Sequence, residues 1–357
     1  MSMKSAILEA FEETLRGQQR ELTDTTIDRY LWELPKWAEW LEAERDKDLL
    51  EATTADLRVH FRQMTTAGYA NTSINCRRSA ISRFYDKLPV IAEDYPHLVD
   101  FTVEDVPENP STGLDRVWSA GETKTSAGLR GEGADEGIHY LEPPELVRLI
   151  ENAPAPTLRN ELILRLLYDT GCRRSELVRI QLDDIDRDDD KIWIEAHKSP
   201  KGRWVTYTPE YVGWHLNQWL NNGYRDATYF AREHDSEYLF PTTTSKHISG
   251  YQVNSIVGSA AERADLQATI GEYAGETNRK VRRITAHTLR HSHAVQAVRS
   301  GIDIRRLAES LGHISENGNV NIDTTMSYLR LAEKEYVDES RKFNPGTVGK
   351  KEPMVQE

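Results

Sequence analysis

Three histidines and an arginine lie close together in the segment "HTLRHSH". Thr285 is a residue type that caps the start of a helix, and Gly301 is one that follows a helix end, so the sequence predicts a helix between them. On this helix His287 and Arg290 are three positions apart and can contact one ligand. His287 and His291 are four positions apart and are equally able to bind one metal ion.

The neighbouring residues disfavour a metal centre. The metalloprotease pattern HExxH requires Glu at position 288, where this chain has Thr288, and no nearby third ligand completes a site. Cys76 and Cys172 have no second thiol beside them and predict neither a disulfide nor a thiolate metal site. We therefore expect no metal and no other cofactor, and we interpret His291 and His293 as packing residues or neighbours of a phosphate.

Four other segments form an ordered pattern with this helix. "TGCRRSEL" and "HKSPKGRW" precede it, and "LGH" and "TTMSYLR" follow it. In this order the five segments resemble the catalytic domain of the tyrosine recombinases, the phage integrase family, of the archaeal integrase and recombinase type. The resemblance covers residues 139 to about 336. It implies a site-specific recombinase that cuts one DNA strand through a 3′-phosphotyrosine, releases a 5′ hydroxyl and rejoins strands without ATP.

The resemblance also implies roles for single residues. Arg173 and Arg290 correspond to the two phosphate-binding arginines, and His287 is the best candidate for the general base. His313 is expected to hydrogen-bond the phosphate, and Tyr328 is expected to be the nucleophile.

The turn "KSPKG" and the first arginine segment add two further expectations. One lysine of the turn is expected to protonate the departing 5′ oxygen. The alignment favours Lys198, and Lys201 remains open as the alternative. Glu176 lies one turn after Arg173 and is expected to orient it through a charged hydrogen bond.

These residue types suit attack on a phosphodiester. The attack builds negative charge on the nonbridging oxygens, and guanidinium groups meet that charge in a planar, bidentate geometry. A clamp formed by Arg173 and Arg290 makes a metal unnecessary. A tyrosine hydroxyl with its ordinary pKa of about 10 is a weak nucleophile, so nearby cations and a proton acceptor must assist Tyr328.

The formal net charge of −13 argues at first against a nucleic-acid partner. Much of the acidity, however, lies in residues 96–138, which hold nine Asp and Glu against three Lys and Arg. An acidic chain with basic islands also fits a protein from a halophile. We expect the basic islands to contact DNA through Arg77, Arg78, Arg83, Lys201, Arg203, Lys280, Arg282 and Arg283.

The fold class predicted from these patterns is mainly α with a small antiparallel β-sheet. Residues 1–95 have helical spacing and are interpreted as a core-binding, SAM-like DNA-binding domain, in which Pro35 kinks or divides one helix. Residues 96–138 form a predicted acidic flexible linker, 139–340 an α+β catalytic domain and 341–357 a polar tail. "KIWIEAH" and "RWVTYTP" predict a hairpin in the catalytic domain.

The segment around "LGH" carries two local predictions. In "GIDIRRLAESLGH", Asp303 is expected to cap a helix and Gly312 to end it, which holds His313 just past the helix end. The following "ISENGNVNIDTTMS" is about six residues longer than the usual family spacing. Because the excess is polar and rich in Gly and Asn, we expect it to bulge as a loop.

The resemblance implies double-stranded DNA target sites as the partner, with four protomers acting on two sites through a Holliday junction. Integration or resolution of viral or plasmid DNA is the expected context. Since no run of about 18 apolar residues occurs, we expect a cytoplasmic protein without a membrane partner. Two alternatives are a DNA-relaxing enzyme similar to type IB topoisomerases and a non-catalytic DNA-binding protein with the same fold.

Overall fold

The computed structural model describes residues 3–17, 22–69, 71–114, 129–130, 138–196, 201–273, 279–315 and 317–332. The chain divides into two compact units. The first comprises Met1–Glu136 together with Thr269–Val281, and the second comprises Gly137–Ala268 together with Arg282–Glu357.

Within the residues that the structure describes, the first unit is built on four α-helices and includes most of a small sheet. The helices are α1 (Met3–Gly17), α2 (Asp24–Arg45), α3 (Thr54–Thr66) and α4 (Asn71–Asp94). The strands are β1 (Leu129–Arg130), β5 (Thr269–Tyr273) and β6 (Arg279–Arg282), in the order β1-β5-β6 with β1 antiparallel to β5.

The core of the first unit follows the predicted helical periodicity. Ile27, Leu34 and Leu41 of α2 are fully buried. Pro35 lies inside α2 and does not divide it. The packed part of this unit also extends beyond the predicted start of the linker at residue 96, because Leu114 is buried in the same core.

Arg77 corrects one prediction about this unit. We expected it on the outer face of α4 as a DNA-binding residue, but it is 5% exposed. Its Nε donates to Glu33 Oε2 at 2.8 Å, and its Nη1 lies 3.3 Å from Nε2 of His60. Burial and the Arg77 cation lower the pKa of His60 to about 3. Arg77 therefore satisfies a buried carboxylate within the helical core.

The second unit is mainly helical. Its α-helices up to residue 263 are α5 (Pro143–Glu151), α6 (Thr157–Asp169), α7 (Arg174–Leu177), α8 (Trp214–Asn221), α9 (Tyr229–His234) and α10 (Gly250–Arg263). They are followed by α11 (Ala286–Arg299), α12 (Ile304–Leu311) and α13, at 323–332. The strands β2 (Ile185–Asp186), β3 (Lys191–Ile194) and β4 (Arg203–Thr206) form a second antiparallel sheet.

The predicted hairpin and the predicted fold class are both confirmed. Strands β3 and β4 pair antiparallel, with Ile194 opposite Arg203. The described chain is mainly helical with small antiparallel sheets. None of the helices within the described ranges has the length and apolarity needed to cross a membrane.

The predicted ends of α12 are confirmed as well. The Asp303 carboxylate accepts from the backbone N–H groups of Arg305 and Arg306, and Gly312 ends the helix at φ +66°. After His313 the excess segment returns on itself, because the N–H of Asn321 donates to the His313 carbonyl at 2.7 Å. The insertion is therefore a loop whose two ends meet.

Removing one partner of the buried pair in the first unit should destabilise it strongly. Arg77→Ala leaves the Glu33 carboxylate without its cation, which typically costs about 3 to 5 kcal/mol. The measurement is the free energy of unfolding in denaturant. Arg16→Ala, which removes an exposed pair with Glu12, is the control and should change it little. Equal stability of the two variants would contradict a structural role for Arg77.

Candidate active site

Three arginines from different elements converge on the C-terminal end of α12. Arg203 Nε donates to the carbonyl of Ser310, Arg290 Nη2 to that of Leu311 at 2.6 Å, and Arg173 Nη2 to that of Gly312 at 3.2 Å. These successive carbonyls are groups that an α-helix leaves without partners at its end. The end also carries a partial negative charge of about half an electron, which favours nearby cations.

Glu176 links two of these arginines. Its carboxylate accepts from Arg203 Nη1 and Nη2 at 3.1 and 3.0 Å, and from Arg173 Nη1 at 2.9 Å. Burial by itself raises the pKa of Glu176, but the bonds from Arg203 and Arg173 outweigh it and lower the pKa below its ordinary value. The predicted contact between Glu176 and Arg173 is present, and Arg203 is its second partner.

Arg203 corrects a second prediction. It was expected to contact DNA, yet it is 8% exposed and its guanidinium is bonded to Glu176 and Ser310. Gly312 lets it approach closely, because a Cβ at that position would lie 2.7 Å from Arg203 Nη1. Arg203 therefore holds β4, Glu176 and the end of α12 together and does not face the solvent.

Arg290 lies deepest in the site, with 1% of its surface exposed. Its Nη1 donates to the Gly171 carbonyl at 2.8 Å, and its Nη2 lies 2.9 Å from Nε2 of His313. Burial and the neighbouring Arg173 lower the pKa of Arg290 to about 10, so it keeps its charge at neutral pH. Arg173 is more accessible, with 27% of its side chain exposed.

The contacts of His313 define its tautomer. A guanidinium only donates, so Nε2 must accept from Arg290. Nδ1 then carries the proton and donates to Thr325 Oγ1, which is 2.7 Å away. Burial and the cations of Arg290 and Arg173 lower the pKa of His313 to about 3, so the ring is neutral.

Tyr328 lies on α13 and is 3% exposed. Its ring packs against a cluster that includes Val295, Leu307 and Leu311. Burial raises the pKa of its hydroxyl, and the cations of Arg290 and Arg173 only partly offset this effect. The resting hydroxyl is therefore protonated at neutral pH.

The nearest hydrogen-bonding partner of this hydroxyl is a residue to which we assigned no catalytic role. Nδ1 of His291 lies 2.7 Å from Tyr328 Oη. His287, our candidate base, lies one turn earlier, and its ring meets that of His291 edge-on with centroids 4.1 Å apart. Partial desolvation and the cations of Arg290 and Arg173 lower the pKa of His287. The sequence carried one sign that His291 lies beside His287, because residues four positions apart share a helix face.

The hairpin lysines and the other predicted DNA-binding residues differ in their exposure and in their ion pairs. Lys198 lies outside the described residues, and Lys201 is exposed beside β4. Arg282 is exposed and paired with Glu262 at 2.6 Å, whereas Arg283 is half-buried and paired with Glu145 at 3.2 Å. Of the remaining predicted DNA-binding residues, Lys280 is exposed, and Arg78 and Arg83 are half-buried.

Comparison with known proteins identifies the family to which this chain belongs. The sequence profile of the phage integrase family matches residues 139–335, and that of the phage integrase N-terminal SAM-like domain matches residues 8–89. The tyrosine recombinase XerA of Thermococcus kodakarensis is 29% identical over 216 residues, 57% of this chain and 66% of that protein. XerD of Bifidobacterium longum is 25% identical over 332 residues, 90% of this chain and 92% of that protein.

A solved structure shows the same fold. A lambda integrase tetramer bound to a Holliday junction matches with a TM-score of 0.56 at 16% identity, covering 91% of this chain and 76% of that one. The chain belongs to the phage integrase family and is a tyrosine recombinase, an enzyme of site-specific DNA recombination. The comparisons support neither the topoisomerase-like nor the non-catalytic alternative.

The burial of Arg203 separates a structural role from DNA contact. Arg203→Ala removes the bonds to both oxygens of Glu176, so it should slow strand cleavage while leaving the salt dependence of DNA binding unchanged. Losing a phosphate contact would instead reduce the slope of log K against log salt by about 0.9. The exposed Lys280, changed to Ala, is the comparison variant. A reduced slope with unimpaired cleavage in Arg203→Ala would contradict the structural role.

Proposed function

We propose that Tyr328 attacks the scissile phosphate, forming a 3′-phosphotyrosine and freeing a 5′ hydroxyl. The observation that carries this proposal is the convergence of Arg173, Arg290 and His313 around one helix end, with Tyr328 packed against the same helix. The covalent ester conserves the energy of the phosphodiester bond. Rejoining therefore requires no ATP.

Arg173 and Arg290 are the proposed phosphate clamp. Each guanidinium has five N–H donors, and those not bonded to backbone carbonyls, Glu176 or His313 remain for nonbridging oxygens. Donors held in place before the reaction lower the barrier because they need no reorganisation as charge develops. In this scheme a phosphate oxygen replaces His313 Nε2 as the acceptor of the hydrogen bond from Arg290 Nη2. His313 then changes tautomer, so that its Nε2 carries a proton and donates to the phosphate.

A lysine of the β3–β4 turn is the proposed general acid for the 5′ oxygen. Lys198 is favoured by the family alignment and Lys201 is the alternative. A cationic amine in this position supplies the proton that the departing alkoxide requires.

The family supports a proposal for the partner and the assembly. We propose that four protomers act on two double-stranded DNA sites through a Holliday junction, and the lambda integrase tetramer described above is bound to such a junction. Residues 1–95 would contact DNA as a core-binding domain, residues 139–340 would carry the chemistry, and the intervening segment would connect them. Integration or resolution of a mobile element is the proposed context.

Trapping on a nicked duplex tests the nucleophile. Cleavage next to a nick releases a short 5′-hydroxyl strand by diffusion and leaves the protein attached to the 3′ end. Wild-type protein should form an adduct that denaturing gels resolve and peptide mapping assigns to Tyr328. Tyr328→Phe should bind the duplex and form no adduct, since only the hydroxyl is lost.

Tyr140→Phe is a matched control, because Tyr140 also borders the cluster around Tyr328. It should form the adduct normally. An adduct persisting in Tyr328→Phe would refute the assignment, and mapping to a second tyrosine would identify the true nucleophile.

A further inference from the structure

We propose that His291 is a catalytic residue that accepts the proton of Tyr328 during strand cleavage. This inference rests on the proposed function of Tyr328 as nucleophile. It replaces His287, the general base expected from the sequence, with the histidine one turn further along α11.

Geometry is the first argument. A general base must lie within hydrogen-bonding reach of the proton that it removes. Nδ1 of His291 is 2.7 Å from Tyr328 Oη, and the two ring centroids are 5.5 Å apart. His291 therefore already has the contact that proton transfer requires.

Packing is the second argument, because it fixes both partners of the contact. His291 is half-buried on α11, and Tyr328 is 3% exposed. Ala294 and Val295, on the same helix, pack with Tyr328 in one apolar cluster. Movement of the tyrosine relative to α11 is therefore restricted, and the hydroxyl is kept beside Nδ1.

The electrostatic surroundings keep the resting His291 ring unprotonated. Burial, followed by the neighbouring His287 and Arg290, lowers the pKa of His291 to about 3, and His139 and His313 act in the same direction. The ring is therefore neutral at physiological pH. A bound phosphate brings negative charge next to Arg290 and makes a protonated His291 less costly.

The chemical step balances without another reactant. As the bond from Tyr328 Oη to phosphorus forms, the phenolic proton moves to Nδ1 of His291. The bond from phosphorus to the 5′ oxygen breaks, and that oxygen takes a proton from the general acid. During rejoining, the 5′ hydroxyl returns its proton to the general acid as it attacks phosphorus. The bond from phosphorus to Oη breaks, and the proton on His291 returns to Oη.

Single-turnover cleavage of the nicked duplex tests the proposal with three variants. His291→Ala should form the adduct about 10²- to 10⁴-fold more slowly, the usual range for loss of a general base. Added imidazole should restore part of the rate, in proportion to its neutral fraction as pH is varied. A merely structural defect would not respond to imidazole in this way.

His291→Asn separates proton transfer from positioning. An Asn side chain places a hydrogen-bonding atom near the position of Nδ1 but cannot take up a proton. We expect it to be as slow as His291→Ala, with unchanged binding to an uncut duplex. Cleavage near the wild-type rate in His291→Asn would show that the contact only positions Tyr328 and would overturn the proposal.

His287→Ala is the comparison variant for the rival base. Imidazole rescue of His287→Ala without rescue of His291→Ala would return the base to His287 and overturn the proposal. Faster cleavage in His291→Ala would also overturn it, because the contact would then restrain the nucleophile. Failure of the wild-type protein to form an adduct through Tyr328 would instead refute the proposed function, so the two failures are distinguishable.

Discussion

The arrangement of the second unit depends on the bonding of three guanidinium groups to the C-terminal end of α12. Successive carbonyls of Ser310, Leu311 and Gly312 each accept from a different arginine. Three arginine cations meet one carboxylate, that of Glu176, and a helix end with about half a negative charge. The positive charge is therefore not neutralised. The excess positive charge is what a DNA phosphate would compensate. The contacts between the arginines and the helix end therefore order the site and also leave it with a positive charge that favours binding of an anion.

This arrangement explains why residues distant in sequence meet at one point. The first arginine segment, the hairpin strand β4 and α11 each contribute one arginine to the helix end. The turn at Gly312 has a positive φ of +66° and admits the Arg203 guanidinium without steric conflict. His313 follows directly and contacts both Arg290 and Thr325. A single short helix thus fixes the relative positions of the proposed phosphate ligands and of the tyrosine packed against it.

The sequence predicts features whose causes are local. Helix α12 begins at the Asp303 cap and ends at Gly312 as expected, because capping depends on neighbouring residues. The roles of Arg77 and Arg203 were not predictable in this way, since their carboxylate partners lie 44 and 27 positions away. His291 and Tyr328 are likewise 37 positions apart. From the sequence alone, a basic residue in a locally basic segment is interpreted as a DNA contact, because the buried carboxylate that it binds is distant in sequence and is identified only in the folded structure.

The most direct test of this account is a crystal structure of the Tyr328→Phe protein bound to an uncut target duplex. The account predicts that nonbridging oxygens of the scissile phosphate lie within hydrogen-bonding distance of Arg173 and Arg290, while both arginines keep their bonds to the carbonyls of α12. Arg203 should remain bonded to Glu176 and should not contact DNA. A scissile phosphate bound away from Arg173 and Arg290, or a clamp assembled only after these arginines leave the helix end, would contradict it.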